Sequence, residues 1–173
     1  HSRNGYAPLH FAAKSYSFNI ALRIVEYLVE KGARVNIKAG LQLNGPTPLD
    51  FASSINSVHI VKYLVEKGKA GVTDRSLRHA SHWNSLQLVK YLVNKGGNVN
   101  AKNDDGETLL HYACEWSSLE IVKYLVEKGA DVNSKNNENQ TPLDFCRGKR
   151  YKPNDIIEFL SNITRGGGKF SKK

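Results

Sequence analysis

"GETLLHYACEWSSLEIVKYLVEKGADVNSK", residues 106–135, holds two helical patterns in one short stretch. The first opens at Thr108, whose hydroxyl can cap free backbone amides, and continues through Leu109, Leu110 and the small residue Ala113. The second sets Leu119, Ile121, Val122, Leu125 and Val126 on one face at helical spacing, with Lys123, Glu127 and Lys128 opposite. It stops at Lys128-Gly129, a basic last turn followed by a residue free to turn left-handed. An amphipathic helix of this length cannot bury its own stripe.

The same unit recurs along the chain. "IVEYLVEKG" starts at Ile24, "IVKYLVEKG" at Ile60, "LVKYLVNKG" at Leu88 and "IVKYLVEKG" at Ile121, while Phe159 holds the tyrosine place in "DIIEFL". The markers Tyr27, Tyr63, Tyr91, Tyr124 and Phe159 lie 36, 28, 33 and 35 residues apart. A period near 33 signals a row of supersecondary units. Ahead of each copy stands a shorter pattern: "APLHFAA", "TPLDFAS", "RSLRHAS", "TLLHYAC" and "TPLDFCR". Thr followed by Pro opens a helix well, because Pro fits the first helical position without wasting an N–H.

These letters resemble the ankyrin-repeat family, whose pattern residues 106–135 follow almost throughout. The resemblance implies an all-α solenoid of five helix-turn-helix repeats joined by hairpin-like loops, with repeats at about 3–38, 39–69, 70–102, 103–135 and 136–163. Residues 164–173, rich in Gly and basic groups, read as a flexible tail or linker.

Several departures from the pattern carry expectations. Four extra residues around "SYSFNIAL" should lengthen the link between the helices of the first repeat. The link "GKAGVTDR" is five residues short, which predicts a truncated finger between the second and third repeats. The third repeat has Arg75-Ser76 in place of Thr-Pro, leaving Asp74 as the substitute cap. Gly32, Gly68, Gly96 and Gly129 should each end a helix.

The formal charge is +9, but residues 147–173 hold eight Lys/Arg against Asp155 and Glu158, so the first 146 residues carry only +3. That weakens a polyanion-binding reading of the whole body. The two cysteines, Cys114 and Cys146, both lie in apolar helical patterns and read as small buried thiols in a reducing compartment. No apolar run reaches the ~18 residues of a membrane span. With His1 first and no Met, the sequence reads as a piece of something longer.

Chemistry finds little purchase. His79, His82, His111 and Cys114 could in principle surround zinc from two neighbouring helices. The resemblance instead gives His111 the task of bonding Thr108, and Cys114 a packing place. "RGGGK" follows no strand and is no phosphate loop. No catalytic group, metal or cofactor is expected, and the protein is read as a non-enzyme.

By resemblance, the inner helices and finger tips form a concave surface that binds another protein or peptide. The positions facing it are Tyr6, Lys14, Ile55, Arg78, His82, Trp83, Asp104, Asp105, Glu107, Glu115, Trp116, Lys149, Arg150 and Tyr151. Trp83 and Trp116 lie one repeat apart and should stand side by side. The four tyrosines should form a half-buried convex ladder with their hydroxyls in water. Nucleic acid or an anionic surface, gripped by Arg147, Lys149, Arg150, Lys152 and the tail, is the alternative; a targeting module for a catalytic domain is another. A monomer in the cytoplasm is expected. The near-identical copies also resemble ankyrin arrays of intracellular-bacterial effectors, which would place the partner, and this protein, in a host cytoplasm or nucleus.

Overall fold

The computed structural model describes residues 5–40, 44–116, 118–149 and 154–165. Among them are ten helices in five pairs. The inner row comprises α1 (Pro8–Ala13), α3 (Pro48–Ser54), α5 (Asp74–His82), α7 (Leu109–Trp116) and α9 (Pro142–Gly148). The outer row comprises α2 (Phe18–Glu30), α4 (Val58–Glu66), α6 (Leu86–Asn94), α8 (Leu119–Glu127) and α10 (Asn154–Arg165). Inner helices meet their neighbours more closely than outer ones do, so the row bends with the inner helices on its concave side. This is the expected solenoid.

The core runs lengthwise through the row. Ile60, Leu64, Leu88, Leu92, Ile121 and Leu125 repeat two positions of the outer helix, and each is fully buried. Each such side chain contributes about 1.5–3 kcal/mol on burial, which lets neighbouring repeats offset an ordering cost that one alone cannot.

Capping follows the letters at Thr47 and Thr141, where Asp50 and Asp144 accept hydrogen bonds from the threonine N–H and hydroxyl. The third repeat differs from expectation. Its cap is Thr73, which accepts from Ser76 N at 3.0 Å, while Asp74 is the first helical residue and pairs with Arg78 at 3.0 Å. α5 therefore starts two residues earlier relative to Leu77 than α3 does relative to Leu49.

Three other expectations are corrected. The four extra residues of the first repeat add a turn to α2, which has 13 residues against nine in α4, and the link Lys14–Ser17 stays short. Gly32, Gly96 and Gly129 turn left-handed, but at the second stop Lys69 does so at φ 57°. Gly68 is needed for space instead: a Cβ there would lie 2.7 Å from Leu64 O and 3.1 Å from Val35. Finally, Cys114 and Cys146 are joined in a disulfide linking α7 to α9, so they are not free thiols. Close approach of small residues on adjacent inner helices is what brings the two sulfurs together.

α10 reaches Arg165, two residues into the expected tail; residues 166–173 lie outside the described residues. On the convex side the tyrosines form a ladder with lysines. Lys62 lies over the Tyr91 ring, Lys90 over Tyr124 and Lys123 over Phe159, each reaching one repeat forward. Tyr91 donates to Glu66 Oε1 at 3.1 Å, and burial together with that bond pushes its pKa to about 12. The Tyr124 hydroxyl is buried, contrary to the expectation of water contact.

Candidate partner-binding surface

The wall is made where the inner helices end. α5 closes on His82 and Trp83, α7 on Glu115 and Trp116, and α9 on Lys149. Trp83 is 49% exposed and Trp116 45%. The two indoles stand one repeat apart. His82 joins them, its ring 4.8 Å from that of Trp116 and 6.2 Å from that of Trp83. The Trp83 indole N–H donates to Ser54 O at 2.9 Å, satisfying a carbonyl at the end of α3. Each ring is thus held in place while about half its surface stays open.

Charges on the wall are partly spent internally. Lys149 pairs with Glu115 and lies 3.9 Å from the Phe145 ring centroid. Arg147 donates to Ser161 Oγ at 3.3 Å. Lys14 lies over Phe51 at 5.6 Å, and Ile55 is half-buried at the end of α3. Tyr6 packs on His10, Phe11 and Phe51 at the N-terminal end, away from the tryptophans. Arg150 and Tyr151 lie outside the described residues, as does Lys152.

The fingers are hairpin turns built on asparagine. Asn103 Oδ1 accepts from the N–H groups of Asp105 and Glu107, and Asn136 Oδ1 from those of Glu138 and Gln140. Adjacent fingers are sewn together: Asn137 N donates to Asp105 O and its Nδ2 to Asp104 O, both at 2.9 Å. Asp104 and Asp105 keep their carboxylates exposed, whereas Glu107 is half-buried and accepts from Asn103 Nδ2.

The third finger is absent, as the short link predicts, and its absence leaves a cleft of about 240 Å³ between the second and fourth. Arg78, placed on the wall by the sequence, lies in the cleft's floor with Asp74 and Arg75. Asn44, a finger-tip position by register, joins them, as do Lys38 and Lys102, two residues that sequence reasoning did not single out. The five-residue shortfall was the signal available; which side chains it would expose depended on the folded neighbours.

The histidine-cysteine cluster does not converge. His111 Nδ1 accepts from Thr108 N and Nε2 faces Gln140 O, which commits both ring nitrogens, and Cys114 Sγ is bonded to Cys146. Burial lowers the pKa of His111 and of His79. Among the described residues no helix is long and apolar enough to cross a membrane.

A search of curated proteins finds no match to the chain. A family model described as ankyrin repeats in three copies matches residues 1–76 and again 77–166. With five stacked helix pairs, asparagine-based fingers and that match over nearly its whole length, the chain belongs to the ankyrin-repeat family, whose members are generally modules for binding other proteins.

Proposed function

We propose that this array is a non-catalytic module that grips a partner protein or peptide on the concave wall formed by His82, Trp83, Glu115 and Trp116, flanked by the exposed carboxylates of Asp104 and Asp105. The observation that carries the reading is the pair of half-exposed indoles. Each is fixed by a contact to the preceding repeat, so little side-chain freedom is lost when a partner covers it. Large, rigid, amphipathic rings at low entropic cost are what interface anchors require. Charge favours a protein over a polyanion, because Arg147 and Lys149 are engaged within the fold and acidic groups border the wall. A host protein is the partner class that likeness to effector arrays suggests.

The test is selection of peptides from a random display library on the intact chain, then measurement of Kd for the Trp83→Ala/Trp116→Ala variant. A loss of tenfold or more with unchanged helical circular dichroism supports the wall. Equal affinity of both proteins for every selected peptide removes it.

A further inference from the structure

Arg75 occupies the place of a missing backbone. Counting back from the cap threonine, Asn44 stands in the second finger where Asp105 stands in the fourth. Asp105 O receives the N–H of Asn137 from the following finger. Asn44 O has no following finger, and receives Arg75 Nη2 at 3.2 Å instead. On the opposite side, Asp104 is the fourth-finger counterpart of Asn137, but the finger it would reach back to does not exist, and it lines the gap.

The gap is charged unevenly. Lys38, Arg75, Arg78 and Lys102 line it, against Asp74, Asp104 and Asp50. Asp50 is 2% exposed and takes the hydroxyls of Thr47 and Thr73, so its charge is turned inward. Asp74 is paired with Arg78. With Arg78 spent on Asp74 and Lys102 Nζ on Lys135 O at 2.7 Å, the slot's cationic contact for a ligand is Arg75, which uses one nitrogen on Asn44 O out of a guanidinium's five donors. A cleft of about 240 Å³ is small beside a helix of about 10 Å diameter and suits a short extended segment. Planar guanidinium groups favour carboxylates, which they can hold with two parallel hydrogen bonds.

We propose that the gap left by the missing third finger is a docking slot for an extended peptide segment of a partner, which places a Glu or Asp carboxylate on Arg75. The slot rests on the reading of the array as a peptide-binding module and adds a second, acid-selective point to it. The segment supplies the strand-like backbone that the third finger lacks, and its carboxylate meets the only arginine in the row that stands in for a finger among the described residues.

The test uses the full 173-residue chain, 15N-labelled, titrated with hexaglutamate and separately with hexalysine at moderate salt. Hexaglutamate is expected to shift amides of residues 73–78 and 102–106 saturably, and hexalysine to leave them in place. Arg75→Ala should weaken hexaglutamate at least fivefold with an unchanged thermal melt, and Arg75→Glu should reverse the preference between the two peptides. Shifts spread over the convex lysines and residues 166–173, or an Arg75→Ala protein that binds as well as wild type, would overturn the slot. The Trp83→Ala/Trp116→Ala variant, titrated in parallel, is expected to keep hexaglutamate binding. A failed slot thus leaves the wall to be judged by its own selected peptides.

Discussion

Thr73 donates its hydroxyl to Asp50 Oδ1 in the preceding repeat, so one buried carboxylate serves the caps of two successive inner helices. Asp50 also accepts from Thr47 N at 2.8 Å, and its side chain is 2% exposed. The bond ties the third repeat to the second at the point where no finger does so. Asp50→Ala should cost about 2–4 kcal/mol, since it strands buried donors, and Thr73→Val about 1–2 kcal/mol. A double-mutant cycle by urea denaturation should return a coupling of about 1 kcal/mol or more. Additive losses would mean that the two caps act separately.

Cys114 and Cys146 close a loop of 32 residues. In the chain-entropy account that constraint contributes about 3–4 kcal/mol. A Cys114→Ala/Cys146→Ala protein should melt well below the oxidised wild type, and unreduced wild type should yield one linked peptide pair after digestion. Two titratable thiols in the denatured, unreduced protein would contradict the bond.

Ile24 is 45% exposed, whereas its counterparts Ile60, Leu88 and Ile121 are at 0% and Ile156 at 2%. The difference is positional, because each later repeat is covered by the one before it. Ile121→Ala should therefore cost about 2–5 kcal/mol and Ile24→Ala under about 1 kcal/mol, read from urea midpoints. Equal costs would show that the first repeat is covered after all.

Much of this was legible in the letters, and the exceptions share a cause. Period, helix stops and Thr-Pro caps are local signals, and they place every helix pair. The extra turn on α2, the cap at Thr73 and the left-handed Lys69 are choices between adjacent residues of similar local fitness. Neighbouring repeats decide them: Ala21 is buried to 1%, Thr73 meets Asp50, and Gly68 lies against Val35. On the wall, register put Trp83, Trp116 and His82 among the candidates, but the ring contacts of His82 with both indoles and the bond to Ser54 O were not legible, since they depend on side-chain direction. The disulfide was missed because apolar surroundings suit a thiol and a bonded sulfur equally.

Stability should fall as the pH drops below the ordinary histidine pKa. Burial holds His79 and His111 below their ordinary pKa of 6.5. Between that value and the lower folded pKa the unfolded chain binds more protons, so this stability is fully present above about pH 6.5 and is lost as pH drops. His111 is neutral with its proton on Nε2, because Nδ1 accepts from Thr108 N; charging it would set N–H against N–H. Unfolding free energies from urea titrations at pH 7.5, 6.5 and 5.5 should decline by at most about 1.4 kcal/mol per pH unit for each histidine. His79→Phe should flatten part of that slope. A flat profile over this range in wild type would contradict the assignment.

Trp83 and Trp116 are the chain's only tryptophans, so emission excited at the red edge, where tyrosine does not absorb, reports the wall. The direct measurement is acrylamide quenching of the intact protein, free and saturated with a selected peptide that itself lacks tryptophan. Bound peptide should cover both half-open indoles and at least halve the Stern–Volmer slope. An unchanged slope at saturation would mean that the partner sits elsewhere, and that the inner wall is not what this array uses to bind.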